Sequence, residues 1–231
     1  MRNQGKINKF FGIGSGKSIT KRMVEDGFDL VESKRILKFF YLFYFVEPKD
    51  LVVKLAKDND QMFQVYFLRE EIYIEENGLN VKRGYNNYDS DSFHFLALEN
   101  DVPIGVMRLI KIPDKDWNFQ GLYNIPVGSY LSFLDLRNFL EISRFGFLKN
   151  HRGNRRYLLK LLHVAHLYAR VNNYDNFCGI MRIELLNYLQ RIGIKFNFIG
   201  EKFVCMDTWN MAPFASSVEE NILIIEKNLK I

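Results

Sequence analysis

The chain has 231 residues, enough for one elaborated domain around a substantial core. Its 48% hydrophobic and 26% charged residues exclude a disordered, collagen-like or coiled-coil chain. The net charge of +5 favours an anionic partner without identifying it. The 21 phenylalanines and 12 tyrosines are more than a core of this size needs, which leaves some of them for an apolar pocket.

Cysteine usage and the apolar segments bear on cellular location. Cys178 and Cys205 form neither a metal-binding pair nor a disulfide framework, which predicts a reducing, cytoplasmic environment. No secretory signal and no transmembrane span are predicted, because the apolar run at 36–46 is far too short to cross a bilayer. We expect a buried element there, with peripheral membrane contact or partner docking as the alternative.

The predicted elements begin after an N-terminal extension over residues 1–45, and one domain follows over 46–231. Glycines at 12, 14 and 16 match neither a P-loop nor a dinucleotide fingerprint, so no nucleotide site is predicted there. The elements of the first half of the domain are a strand at 51–57, a helix over 58–77, and strands at 93–98 and 104–110 joined as a hairpin.

The second half alternates strands with helices: strand 141–148, helix 155–171, strand 177–181, helix 183–191, and a hairpin of 195–199 with 202–207. A last helix begins near Ser217, because Ser217 and Glu220 have the spacing of a capping box. This order of elements predicts an α/β domain.

The loop after the 141–148 strand is the most one-sidedly charged part of the chain. Six basic residues and no acidic one occur between positions 144 and 160, namely Arg144, Lys149, Arg152, Arg155, Arg156 and Lys160. A helix start presents unpaired N–H groups and the positive end of the helix dipole, so this loop is suited to a phosphate. A solvated helix face without a ligand is the alternative.

The predicted order of elements resembles that of the acetyltransferase (GNAT) superfamily. The loop sequence Asn-His-Arg-Gly-Asn-Arg at 150–155 resembles the pantetheine-binding loop of that superfamily. That superfamily's pattern is Arg/Gln-x-x-Gly-x-Gly/Ala, of which Gly153 is the central glycine. The resemblance implies a GNAT-like (acyl-CoA N-acyltransferase) fold, with a central mixed, mostly antiparallel sheet flanked by helices.

Four further segments are similar to successive landmarks of the acyl-homoserine-lactone (autoinducer) synthases: Leu-Arg-Glu-Glu-Ile-Tyr at 68–73, Tyr-Asp at 88–89, Gly-Val-Met-Arg at 105–108 and Glu-Ile-Ser-Arg-Phe at 141–145. They resemble even more closely the long-chain N-acyl amino acid synthases of the FeeM type. Leu79 stands where autoinducer synthases usually carry a tryptophan, which favours the acyl amino acid branch.

The resemblance implies an N-acyltransferase that moves a fatty acyl group from acyl carrier protein, or CoA, to the amine of an amino acid. The acyl-phosphopantetheine thioester is then a co-substrate, and no tightly bound cofactor is implied. An acidic carrier protein accounts for the basic loop. An apolar slot for the acyl chain uses the surplus phenylalanines, since burial stabilises by ~0.8 kcal/mol per methylene.

N-acylation needs a group that takes the proton of the amine and a group that stabilises the oxyanion. Glu141 is the candidate general base, and Ser143 is a candidate donor near the thioester. By resemblance, Arg69, Arg108 and Arg144 are candidates for binding the acceptor carboxylate or for locking the pocket. Asp89 is a candidate for pairing with one of them and ordering the loop over the site. The donor arm is assigned to Phe145, Phe147, Arg152, Gly153, Asn154, Arg155 and Arg156. A buried ion-pair network that only organises the fold is the alternative.

Two other functions stay open. One is acyl-homoserine-lactone synthesis with S-adenosylmethionine as the acceptor. The other is a non-catalytic module that docks carrier protein or binds nucleic acid, although Glu184, Glu201 and Asp207 interrupt the basic stripe that nucleic acid requires. No metal site is predicted, because His163 and His166 have no third ligand at a suitable spacing.

Overall fold

The computed structural model describes residues 51–76, 88–90, 92–112, 136–205 and 209–231. The expectations for the extension at 1–45, the apolar run at 36–46 and Leu79 lie outside these residues. The side chain of Cys205 lies outside them as well.

Strands and helices alternate as the α/β prediction requires. The strands are β1 (Leu51–Leu55), β2 (Ser92–Glu99), β3 (Val102–Lys111), β4 (Phe139–Phe147), β5 (Asn176–Arg182), β6 (Asn197–Phe198), β7 (Phe203–Cys205) and β8 (Trp209–Ser217). The α-helices are α1 (Asn59–Arg69), α2 (Arg155–Val171), α3 (Ile183–Arg191) and α4 (Val218–Leu229). A π-helical segment (Glu70–Glu75) continues α1, and short 3₁₀ turns occur at Leu136–Asn138 and Lys149–His151.

The strands form one sheet in the order β1-β2-β3-β4-β5-β8-β6, with β7 also pairing to β8. Neighbours are antiparallel except for β4 and β5, which run parallel. The mixed, mostly antiparallel sheet is therefore confirmed. The β2–β3 hairpin turns at Asn100 and Asp101, whose φ angles of 51° and 64° suit these residue types.

Two predictions in the later part of the chain are wrong. The predicted hairpin of 195–199 with 202–207 does not form among the residues described there, because β6 and β7 both pair with β8 instead. The sequence did not predict β8 as a strand, because Pro213 lies at its centre and Pro is depleted from inner strands. The predicted 58–77 helix changes from α to π geometry after Arg69, which widens the turn that follows.

Helix α2 packs under both halves of the sheet. One set of its side chains, Leu161, Ala165 and Ala169, joins a core with residues of β1 to β4. A second set, Leu158, Leu159 and Leu162, joins a core with Met181 of β5 and Phe214 of β8. Helix α4 packs on the same face, and its cap is as predicted, since the Ser217 hydroxyl accepts from the Glu220 N–H. Helix α1 covers the opposite face.

Two irregularities of β4 shape the centre of the sheet. Its pairing with β5 covers three positions, Phe139–Glu141 against Asn176–Cys178, and beyond them the two strands separate. Its pairing with β3 shifts register between Val106 and Arg108, which marks a β-bulge.

Among the helices that the structure describes, none combines the length and the apolar composition that a membrane-spanning helix needs.

Candidate active site

A cleft of about 420 Å³ opens where β4 and β5 separate. Its walls come from the π-helical segment, the end of β4, the following loop, the start of α2, the end of β5 and α3. The lining residues are Ile72, Tyr73, Phe145, Gly146, Phe147, His151, Arg152, Gly153, Asn154, Arg155, Leu158, Arg182, Glu184, Leu185, Tyr188 and Trp209. Six of the seven residues assigned to the donor arm therefore border one cleft; Arg156 is exposed and does not line it.

Arg152 ties the loop that forms the mouth of the cleft to the π-helical segment. Its Nε donates a 2.9 Å hydrogen bond to the Phe147 carbonyl, and its guanidinium pairs with the Glu76 carboxylate. The same carboxylate accepts a 2.9 Å hydrogen bond from the Lys149 N–H. Arg152 is therefore a structural tie within the loop as well as a cation beside the cleft.

Asn154 caps α2. Its Oδ1 accepts hydrogen bonds from the N–H groups of Arg156 and Tyr157, at 3.1 and 3.3 Å. Gly153 precedes it with a φ of 82°, a left-handed conformation that favours glycine, and the space beside its α-carbon is open. The guanidinium of Arg155 is hydrogen-bonded to Asn228 of α4.

A buried polar cluster lies on the α1 face of the sheet and is centred on Asp89. The Asp89 Oδ1 accepts from Nη1 of Arg69 at 2.8 Å and from Nη1 of Arg108 at 2.9 Å. Both arginines are at most 1% exposed. Burial and, to a smaller extent, the charge of the neighbouring Arg69 lower the pKa of Arg108 to about 10. One carboxylate thus holds two guanidinium groups that would otherwise repel each other.

His94 and Ser143 complete the cluster. Nδ1 of His94 accepts a 2.7 Å hydrogen bond from Arg69, so the imidazole is neutral and its Nε2–H donates to the Asp89 carbonyl at 2.8 Å. Burial and the charge of Arg69 lower the pKa of His94 to about 4. The Ser143 hydroxyl oxygen accepts from Nε of Arg108 at 2.8 Å.

Glu141 lies on the same face, two positions before Ser143. It faces Ile110 of β3 in the sheet register, as Ser143 faces Arg108, and its β5 neighbour is Cys178. It is fully buried at the last paired position before β4 and β5 separate. Burial raises the pKa of the Cys178 thiol, and the charge of Glu141 raises it further. Glu141 thus lies at the closed end of the strand opening.

Arg144 lies at the β4 bulge with a φ of 48°. Its guanidinium carbon is 5.5 Å from the centroid of the Tyr73 ring. The Tyr73 hydroxyl in turn donates a 3.1 Å hydrogen bond to the Phe145 carbonyl. Tyr73 also lines the cleft, so this one side chain connects the cleft to the face that carries the polar cluster.

The described residues contain no group of His, Cys, Asp and Glu side chains placed to hold a metal ion. His163 lies 3.3 Å from Glu226 on the neighbouring helix. His166 is buried, and its Nδ1 contacts the Leu162 carbonyl at 2.7 Å.

A family model described as "Acetyltransferase (GNAT) domain" matches residues 68–163. The solved structure of BjaI, a CoA-dependent acyl-homoserine lactone synthase with SAM and isopentyl-CoA, superimposes with a TM-score of 0.65. The alignment covers 79% of this chain and 90% of BjaI at 15% identity. This chain has the GNAT fold.

Two further structures share the GNAT fold with this chain. The AHL synthase LasI has a TM-score of 0.61 at 14% identity, covering 76% of this chain and 94% of LasI. FeeM, an N-acyl amino acid synthase from uncultured soil microbes, has a TM-score of 0.56 at 14% identity, covering 78% of this chain and 99% of FeeM. Among proteins of curated function, none is similar enough in sequence to match.

In the structure, most of the predicted site residues lie in two groups. Arg69, Asp89, Arg108 and Ser143 form one connected cluster, with Glu141 beside it on the same face. Six of the seven residues that the sequence analysis assigns to the donor arm form the other group, at the cleft. Sequence reasoning missed Tyr73, Glu76 and His94. The first two follow Arg69 by four and seven positions, which is helical spacing and would have placed them near it.

Proposed function

We propose that this protein transfers a fatty acyl group from a phosphopantetheine thioester to the amine of an amino acid, giving an N-acyl amino acid. The observation that carries the proposal is the cleft at the separated ends of β4 and β5, with the basic loop and the start of α2 at its mouth. Strand edges that are not paired to each other leave backbone groups for the amides of a pantetheine arm.

The loop favours acyl carrier protein as the donor. Lys149, Arg152, Arg155 and Arg156 are all exposed around the mouth, and an acidic protein is attracted to such a rim. The Asn154 side chain already occupies two N–H groups at the start of α2. The phosphate of the arm is therefore bound by arginine side chains in this proposal. CoA is the other donor to test.

In the proposed reaction, Glu141 takes a proton from the ammonium group of the acceptor, through a water molecule. The amine then attacks the thioester carbonyl and the new C–N bond forms. The C–S bond breaks, and the leaving thiolate takes up the second proton that the attacking nitrogen loses. We assign Ser143 the role of a hydrogen-bond donor near the thioester. A guanidinium of this face binds the acceptor carboxylate. Phe145 and Phe147 contact the donor arm inside the cleft.

Acyl-homoserine-lactone synthesis is the second candidate, and the fold similarity to BjaI and LasI favours it. Its acceptor is S-adenosylmethionine, and its product is a lactone. The two candidates use the same donor cleft and differ in the acceptor, so product mass separates them.

The test is incubation of the full chain with acyl carrier protein charged with saturated chains of different lengths, and separately with the same acyl-CoAs. Each donor is offered with each of the twenty amino acids and with S-adenosylmethionine, and products are identified by mass spectrometry. An N-acyl amino acid supports the proposal, and an acyl-homoserine lactone supports the second candidate. Donor binding without any amide product would show a docking module and contradict both.

A further inference from the structure

Three arginines lie between the sheet and the layer formed by α1 and the π-helical segment, and two of them are bonded to other side chains of the cluster. Arg69 and Arg108 both donate to Asp89, and each makes a further hydrogen bond, to His94 and Ser143 respectively. Within the described residues, the Arg144 side chain makes no hydrogen bond or ion pair and is half-buried against Tyr73. Arg69 and Arg108 are at most 1% exposed, so Arg144 is the guanidinium of this face that a ligand can reach.

The backbone of Arg144 is strained. A φ of 48° is unfavourable for residues with a β-carbon other than Asn and Asp, and glycine would adopt it at no steric cost. The β4 bulge imposes this conformation, and with it Arg144 comes to lie on the same face as Ser143. An arginine in a place that suits glycine points to a role for the side chain, because such strain concentrates at binding sites.

Tyr73 holds this arrangement through two contacts. Its ring lies under the Arg144 guanidinium, and its hydroxyl donates to the carbonyl of Phe145, the next residue along the bulge. A guanidinium over an aromatic face keeps its N–H groups directed outward in its own plane, where a carboxylate accepts two of them. Tyr73 also lines the donor cleft, which Arg144 does not.

We propose that Arg144 binds the carboxylate of the acceptor, and that Tyr73 is the positioning residue that holds Arg144 for this contact. This inference rests on the proposed function. Arg69 and Arg108 then organise the cluster around Asp89 and do not bind the acceptor directly. Tyr73 then lies between the donor arm, on its cleft side, and the acceptor carboxylate, which lies at the edge of the Arg144 guanidinium.

The test measures binding, so that it does not depend on turnover. Isothermal calorimetry compares N-dodecanoylglycine, which carries the carboxylate, with N-dodecanoylglycinamide, which does not. In the unmodified chain we expect the acid to bind at least tenfold more tightly. In Arg144→Gln the two affinities should become equal within about twofold, because the amide affinity is unaffected and the acid affinity falls.

Variants of Tyr73 test the positioning role. Tyr73→Leu removes the ring and should lower the acid-to-amide ratio, that is, the ratio of the affinities for the two compounds. The decrease should be nearly as large as in Arg144→Gln. Tyr73→Phe keeps the ring and should retain most of the ratio, which also covers the case in which the leucine variant fails to fold. Lys202→Gln is the matched control, because the Lys202 ammonium also lies 5.5 Å from an aromatic centroid, that of Phe198, at the far edge of the sheet.

Arg144→Gly separates binding from stability. Glycine relieves the strained φ, so the melting temperature should not fall, while the acid-to-amide ratio should be lost. A ratio near one in the unmodified chain, or an unchanged ratio in Arg144→Gln or Tyr73→Leu, would overturn the inference. Failure of the proposed function alone would give a different result. The ratio of the two affinities would still depend on Arg144, but no combination of donor and amine would yield an amide product.

Discussion

Nη2 of Arg69 lies 2.7 Å from Nδ1 of His94. Because the guanidinium only donates, the imidazole must accept at Nδ1, and a proton there would face a positive charge. This contact joins α1 to β2 and keeps His94 neutral inside the cluster.

The first prediction concerns the pH dependence of stability. The folded-state pKa of His94 is lowered to about 4 from 6.5, chiefly by burial, so the unfolded chain binds the proton first. The contribution of neutral His94 to the free energy of unfolding is complete above pH 6.5 and is lost as the pH falls toward 4. A shift of this size corresponds to about 3 kcal/mol. Urea unfolding between pH 4.5 and 7.5 measures it.

Burial likewise lowers the pKa of His166 to about 4, so the two histidines must be separated. His94→Gln and His166→Gln should each remove part of the acid-side loss of stability, and the double variant should remove more than either. Glu71 acts in the opposite direction, since burial raises its pKa to about 7 and its contribution is lost as the pH rises through 7. An unchanged pH dependence in His94→Gln would contradict the prediction.

The second prediction concerns Asp89. Replacing it with Asn leaves Arg69 and Arg108 buried without the carboxylate between them, and such a loss costs about 3–5 kcal/mol. Chemical unfolding of Asp89→Asn measures the cost. Asp101→Asn, at the exposed hairpin turn, is the control and should change stability by less than about 0.5 kcal/mol.

The role of Asp89 as the shared partner has its own check. Asp89→Asn combined with Arg108→Met should cost less than the sum of the two single variants, because the double variant leaves one buried guanidinium in place of two. A strictly additive result would show that the two residues do not depend on each other.

The third prediction concerns Glu141 as the general base. Glu141→Gln keeps the size of the side chain and removes its ability to accept the proton, so turnover should fall by about 10²–10⁴. Donor binding should stay the same, which fluorescence anisotropy with labelled acyl carrier protein measures. The exposed Glu201→Gln is the control, with turnover unchanged. Equal turnover in both variants would remove Glu141 from the role.

The fourth prediction concerns the tie between Glu76 and Arg152. Glu76→Gln retains an oxygen for the Lys149 N–H and loses the ion pair, which is partly exposed and therefore worth at most about 1 kcal/mol. The KM for the acyl donor should rise about two- to fivefold, with the KM for the acceptor unchanged.

Glu226→Gln disrupts a different ion pair, that with His163, and should leave both KM values as they are. Arg152→Gln should resemble Glu76→Gln, and the double variant should add little to either. Equal increases in both KM values would mean that the tie supports the fold in general and not the donor loop.

Sequence reasoning reached the fold because the landmarks near Arg69, Arg108 and Glu141 lie on elements with clear periodicity. It also predicted the basic loop that borders the cleft, since a basic loop that opens a helix is a local feature. It did not reach β8, where Pro213 obscures the strand, nor the partner of Arg144. The contact between Arg144 and Tyr73 depends on a bulge in β4 that forms against β3, and no local pattern marks such a bulge.

The three paired positions between β4 and β5 have a mechanical consequence. The sheet consists of a β1–β4 half and a β5–β8 half, joined by a seam of three residue pairs and by α2, which packs beneath both. Gly179 lies just past the seam, where a β-carbon would come within 2.7 Å of the Ile142 carbonyl. A side chain larger than that of glycine at position 179 would therefore push the two halves of the sheet apart beside the cleft.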